Sequence, residues 1–320
     1  MDLELTSTIV LHRVEPVKLL VLGGGYTGSR LAAIAARLGI GGVISHRAVG
    51  TRASAQASLG AADWQLVGFD SDNGVLPSAE ALEGITHVVS TIPPDRRGDD
   101  PVLTRLAGPL QDLQPRWLGY LSTTGIYGDT GGAWVDEGSP CKPGLERSRA
   151  RRRCEQAWQA TGLPLQIFRL PAIYGPGRNP FGDLRAGRSR LLHRPGQVFC
   201  RVHVDDICGA LLHCLSLPAA QRPPVVNVVD DAPCPASEQL GYAAHLLGCK
   251  LPPVQPFSTA RANLSPMALS FWQESRRVSN ALLCQQLGYR LRYPSYREGL
   301  RAALAEEGAQ PEGREAGSAT

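Results

Sequence analysis

The chain has 320 residues, 43% hydrophobic and 19% charged, a composition that fits one large α/β unit or two unequal lobes and excludes a disordered chain. Lys+Arg 33 against Asp+Glu 29 leaves a formal net charge of +4, too weak a balance to indicate nucleic acid by itself. The 35 Gly and 25 Pro carry no G-X-Y period, so a collagen-like fibre is excluded and many tight turns are expected.

Residues 1–15 read as a loosely attached extension; Asp2 and Glu4 precede the short apolar stretch Ile9 to Leu11 without the basic and apolar regions of a signal peptide. Val17 to Leu22 is a continuous apolar run ending in Gly23-Gly24-Gly25, the pattern of a parallel strand covered on both faces. Ser29 to Leu38 has helical spacing at Leu31, Ile34, Ala35 and Leu38. Further strands are expected at Gly41 to Ser45, Trp64 to Phe69, His87 to Ile92, Trp117 to Ser122, Leu165 to Leu170 and Val225 to Val229. Helices are expected near 52–60, 78–83, 101–114 and 146–161. Strands alternating with helices give a doubly wound Rossmann-type α/β sheet over 16–175, with a later strand contributed from 198–230.

Beyond residue 175 the pattern loosens into a smaller substrate lobe, 176–305. Helices are expected there at Asp206 to Leu215, Ser237 to Leu247, Ser279 to Leu287 and Tyr296 to Ala305, and 306–320 reads as a disordered tail. Eight cysteines at 141, 154, 200, 208, 214, 234, 249 and 284 form no C-x-x-C pair, which suits reduced, mostly buried thiols rather than a zinc site. No apolar run approaches the length of a membrane span. The reading is a soluble cytoplasmic protein with no metal, nucleic acid or membrane partner, with its oligomeric state open between a monomer and a homodimer.

Gly23, Gly25 and Gly28 fit G-x-G-x-x-G between the first strand and the first helix. The glycines allow a tight turn, close backbone approach to a pyrophosphate, and close helix-to-strand packing, with the helix N-terminus facing the phosphates. Tyr26 and Thr27 lie in the same loop. An acid about 20 residues on would bond a ribose 2′-hydroxyl. Ser45-His46-Arg47 stands there instead, followed by Arg52, and an arginine fork suits a 2′-phosphate. NADP is therefore expected, with NAD the alternative. Asp70 either accepts from the adenine amino group or caps a turn.

Several segments together resemble the extended and atypical short-chain dehydrogenase/reductases, the NAD-dependent epimerase/dehydratase family, in their YeeZ-like branch. Leu121-Ser-Thr-Thr-Gly-Ile-Tyr127-Gly128 resembles the fifth-strand signature, Arg169 to Gly177 the sixth-strand motif, and Val202-His-Val-Asp-Asp-Ile207 a second-lobe motif. The resemblance implies that Ile92, Pro93, Ser122 and Pro171 contact the cofactor and that Thr123 polarises a substrate oxygen. It also exposes departures. Aligned on Glu155, the usual Tyr-x-x-x-Lys positions hold Arg147 and Arg151, and arginine does not donate protons at neutral pH.

Tyr127 is then the nearest phenol to the expected chemistry, as an acid or as a packed ring. Asp136-Glu137 could serve acid/base work or simply solvate a loop. His203 reads more readily as structural than as catalytic, and Asp206 as a helix N-cap. Arg147, Arg149, Arg151, Arg152 and Arg153 read as a solvated helix face. Arg178, Arg185, Arg188, Arg190 and Arg194 populate a loop that either binds an anionic substrate or is a solvated lid. Two functions follow. One is an NADP-dependent oxidoreductase or epimerase/dehydratase-like enzyme acting on a small polar carbonyl or sugar compound. The other is a non-catalytic NAD(P)-binding redox sensor or partner.

Overall fold

The computed structural model describes residues 16–47 and 63–309. The expected extension at 1–15, the helix at 52–60 and most of the tail lie outside the described residues. Seven strands form one parallel sheet: β1 (Lys18–Leu22), β2 (Gly41–His46), β3 (Trp64–Gly68), β4 (His87–Ser90), β5 (Trp117–Thr123), β6 (Leu165–Leu170) and β7 (Val225–Asn227). Their order is β7-β6-β5-β4-β1-β2-β3, and every pairing is parallel. Each coincides with a strand expected from an apolar run.

Helices α1 (Tyr26–Arg37), α2 (Pro101–Leu113), α3 (Glu146–Ala160) and α4 (Val204–Ser216) cover the two faces. Leu19 and Val21 pack with Leu31, Ala35, Ile207 and Leu211, whereas Leu20 and Leu22 pack with Val102, Leu106 and Trp158. Successive side chains of β1 thus enter different cores, which is why the strand shows no polar face. A third core joins Tyr174, Phe181 and Leu184 to α5 (Ala236–Leu247) and α6 (Tyr296–Ala309) through Ala243, Ala244, Leu300 and Ala303.

The chain runs outward from β1 to β2 and β3, then returns to the other side of β1 as β4. That reversal opens a crevice at the C-terminal ends of β1 and β4, the topological switch point where doubly wound sheets take ligands. Gly23, Ile92 and Pro171 follow β1, the β4 run and β6, and Thr123 ends β5, so the C-terminal edge of the sheet gathers them.

Three local expectations change. The segment 279–287 holds a π-turn at Leu282–Gln286 rather than an α-helix. Residues 306–309 are helical, not part of a disordered tail. Arg30 of α1 explains the second point, because its guanidinium bonds Asp205 at 2.6 and 3.1 Å and Glu306 at 2.8 and 2.9 Å. Two carboxylates around one arginine pin the last helix to the first. Asp206 is also not an N-cap. His203 holds that position, its Nδ1 accepting from the Asp205 amide, and Asp206 lies inside the first turn. Its carboxylate, wholly buried, accepts from the Arg292 and Tyr293 amides and the Tyr289 hydroxyl. Among the described residues no helix is long and apolar enough to cross a membrane.

Candidate active site

The glycine loop is held from three sides. The Gly23 amide donates to Ser45 Oγ at 3.0 Å, and the Gly24 amide to the Ser45 carbonyl at 2.6 Å. Thr91 Oγ1 donates to the Gly23 carbonyl at 2.8 Å, and Ser29 Oγ to the Gly24 carbonyl at 2.7 Å. Gly23 has φ +105°, a conformation that side chains rarely adopt. A Cβ on Gly28 would stand 2.0 Å from the Gly23 carbonyl oxygen, so α1 packs against the loop only because this residue lacks one.

Gly25 differs from both. A Cβ there would meet nothing within 4 Å, and it would enter the open space above the first turn of α1. That turn has no side-chain cap and no acidic residue. Unfilled amides and a positive helix end facing a vacant backbone shelf suit an anionic diphosphate. Thr27 is buried in the same turn, and Tyr26 donates to the Pro176 carbonyl at 3.0 Å beneath the Arg178 guanidinium. Ile92 lies against the loop, its Cγ1 2.9 Å from where a Gly23 Cβ would be, and Pro93 beside it is exposed.

At the end of β2, Arg47 is exposed and lies 3.7 Å from the equally exposed Asp72. Arg52 falls outside the described residues. Asp70 takes the turn alternative. Its Oδ1 accepts from the Asp72 and Asn73 amides and its Oδ2 from Asn73 Nδ2 at 2.8 Å. These donors, the Asn73 side chain first, hold its pKa below the usual carboxylate value.

Beyond β5 and β6 lies a cavity of about 150 Å³ lined by Thr123, Gly125, Arg147, Pro171, Val198, Phe199, Cys200, Phe271, Glu274 and Arg276, among others. Thr123 Oγ1 accepts from the Gly125 amide at 3.1 Å, which leaves its hydroxyl hydrogen available. Two residues assigned to this end prove to be turned away. Ser122 points to the opposite face of β5 and donates to buried Glu155 at 2.6 Å. Tyr127, read as a catalytic candidate, is 2% exposed; its hydroxyl donates to Asn227 Oδ1 at 2.8 Å and accepts from Arg169 at 3.0 Å. Closed in by Asn227 and Arg169, the phenol is a member of an internal network rather than of the cleft, and burial raises its pKa.

Glu155 centres that network. It receives Arg169 through Nε at 3.1 Å and Nη2 at 3.0 Å, and Arg152 at 2.8 Å, and it is fully buried. The helix arginines therefore do not form one solvated face. Arg149 and Arg153 pair with Glu146, and Arg151 donates to the Leu121 carbonyl at 2.8 Å and the Tyr120 hydroxyl at 3.3 Å. Arg147 faces the cavity.

The loop arginines are likewise committed within the chain. Arg185 pairs with Glu307, Arg188 with Asp183, Arg190 donates to the Asn263 carbonyl and Arg194 to that of Trp272. Asp136 is bound by Ser139, and Glu137 accepts from the Asn227 amide at 2.7 Å. His203, 1% exposed, is kept neutral by burial with its pKa lowered to about 4. Sequence reading did not single out Ser29, Ser45, Thr91, Phe199, Phe271, Glu274 or Arg276. The last three come from a segment some 150 residues beyond Thr123, and no local signal connects them.

No protein-family model matches the chain. A conserved protein of unknown function from Silicibacter pomeroyi DSS is 42% identical, and the match covers 91% of this chain and 99% of that one with a TM-score of 0.80. UDP-glucuronic acid 4-epimerase from Bacillus cereus, solved with NAD, shares the fold at 16% identity, coverage of 90% and 96%, and a TM-score of 0.73. The human epimerase family protein SDR39U1 (isoform 2), solved with NADPH, does so at 19% identity, 90% and 99% coverage, and a TM-score of 0.65. A Streptomyces 3-diazoavenalumate denitrifying reductase is 28% identical over 158 residues, which is 48% of this chain and 51% of the reductase. The match thus spans about half of that curated relative.

Proposed function

The chain belongs to one family with the conserved Silicibacter pomeroyi protein and has the fold of the NAD-dependent epimerases and dehydratases, and from that premise we propose that it is an NADP-dependent oxidoreductase of the atypical short-chain type. The observation that supports the reading is the open space at Gly25, at the same C-terminal edge of the sheet as the cavity that contains Thr123. Gly23, Gly25 and the first turn of α1 would hold the diphosphate of a nicotinamide dinucleotide, with Pro171 and Ile92 on the side of its ring, and the bound cofactor would supply hydride chemistry. Thr123 donates a hydrogen bond to the oxygen of a small polar carbonyl or sugar compound. The reductase activity of the Streptomyces relative supports the oxidoreductase class.

Arg47 supports NADP, because it is an exposed guanidinium at the end of β2 where an acid would favour NAD. Calorimetry with NADPH and NADH tests this. Arg47→Ala is expected to weaken NADPH by about 1.5–3 kcal/mol and to leave NADH nearly unchanged. Equal loss for both cofactors, or a wild-type preference for NADH, removes the NADP assignment.

One observation favours a non-catalytic dinucleotide sensor as the second reading. The arginines at the Tyr-x-x-x-Lys positions and the burial of Tyr127 leave the cavity without a phenol acid. Tight NADPH binding with no oxidation against a panel of carbonyl compounds and nucleotide sugars would select it.

A further inference from the structure

We propose that Arg147 anchors the carboxylate of a small substrate with an apolar body, held in the cavity beside Thr123. The proposal rests on the oxidoreductase reading and names its substrate class. The hydrogen-bond and ring partners of Arg147 are all neutral, with the Glu274 carboxylate of the same lining acting on it only as a more distant charge: Nη1 donates to Ser270 Oγ and to Met267 Sδ at 3.4 Å, and the guanidinium lies 4.5 Å from the centre of the Phe271 ring. Among the described residues no carboxylate pairs with it, and no partner stands on its Nε or Nη2. Those two nitrogens form the edge that takes a carboxylate in two parallel hydrogen bonds.

The other charges of the cavity cancel one another. Arg276 donates to Glu274 and to the Gly128 carbonyl, so this pair is close to neutral and Arg147 carries the net charge of the lining. Cys200 adds no anion, because burial pushes its thiol up to about 11. Although Arg147 is exposed, partial desolvation by the cavity wall lowers its pKa, with Glu274 acting in the opposite direction. Pro171, Val198, Phe199 and Phe271 supply apolar walls, and about 150 Å³ admits one aromatic ring or a short chain. The arginine-rich loop does not compete, since its guanidiniums already have partners in the chain.

Benzoate is a suitable unreactive probe, and benzyl alcohol is its neutral counterpart of similar shape. Both are titrated by calorimetry into the full chain saturated with NADPH. Wild type is expected to bind benzoate at least about tenfold more tightly than benzyl alcohol, and Arg147→Met to lose that difference. Arg147→Lys should keep part of it. Arg147 is exposed, and methionine can cover the Phe271 ring, so the variant retains the fold; unchanged NADPH affinity confirms this. Absence of saturable benzoate binding, or equal benzoate affinity in wild type and Arg147→Met, overturns the anchor. Arg147-dependent benzoate binding in a chain that does not bind NADPH leaves the anchor standing and removes the oxidoreductase reading instead.

Discussion

At the glycine-loop end of the sheet edge the shape is made by backbone: three glycines, a helix end, carbonyls tied down by Ser29 and Thr91, and amides held by Ser45. At the cavity end it is made by side chains brought from distant segments, with Arg147 and Thr123 lining it beside Phe199, Phe271 and Glu274. A backbone site tolerates almost no change at its glycines and fixes a ligand class shared across the fold. A side-chain site can be rebuilt one residue at a time, so its chemistry moves while the scaffold stays. The pair of arginines at positions 147 and 151 illustrates this, one holding Leu121 and Tyr120 and the other turned to the cavity.

The largest effect should come from beneath both ends. Glu155→Ala leaves Arg169 buried without its carboxylate, and urea unfolding is expected to show a loss of about 3–5 kcal/mol. NADPH affinity per folded molecule should hardly change, since the network faces away from the cleft. A mild loss of stability would mean that water relieves Arg169.

Gly25→Val separates the two ends next. The position has φ −76° and open space beside it, so the fold should survive, whereas the valine side chain occupies the shelf. NADPH binding is expected to fall by about 3 kcal/mol, roughly a hundredfold, with an unchanged melting temperature. Retained affinity in the folded variant would dissociate this loop from the cofactor.

The smallest effects distinguish two neighbours on one strand end. Thr123→Ala should lower turnover by about a hundredfold and spare NADPH binding, as loss of a polarising donor does. Tyr127→Phe should instead cost about 1 kcal/mol of stability, for one buried hydroxyl, and leave turnover within about twofold. Reversed outcomes would return the phenol to the chemistry.

The sequence made the sheet and the glycine loop legible because both follow from local patterns. Apolar runs of strand length can only be covered on two faces, and a glycine triplet between strand and helix has few other uses. What stayed hidden was the direction of individual side chains. Ser122 and Thr123 are adjacent and alternate across the sheet, so one reaches Glu155 and the other the cavity. Tyr127 could be withdrawn only once Asn227 and Arg169 were known to close around it. The ten arginines of the two stretches looked alike until their carboxylates, carbonyls and rings were placed, and that placement depends on tertiary structure alone.

The clamp around Arg30 also has a meaning for how the molecule is made. Its last partner, Glu306, lies 276 residues further along the chain. At about 5–20 residues per second, synthesis would deliver that carboxylate roughly 15 to 55 s after Arg30 itself has emerged. During that interval the first helix can pack on its strand, but its arginine lacks both carboxylates until Asp205, 175 residues on, has been made, and one of the two until Glu306 follows. The sheet can therefore assemble while the nascent chain is still growing, whereas the contact between α1 and α6 closes only after Glu306 has been made and released from the ribosome.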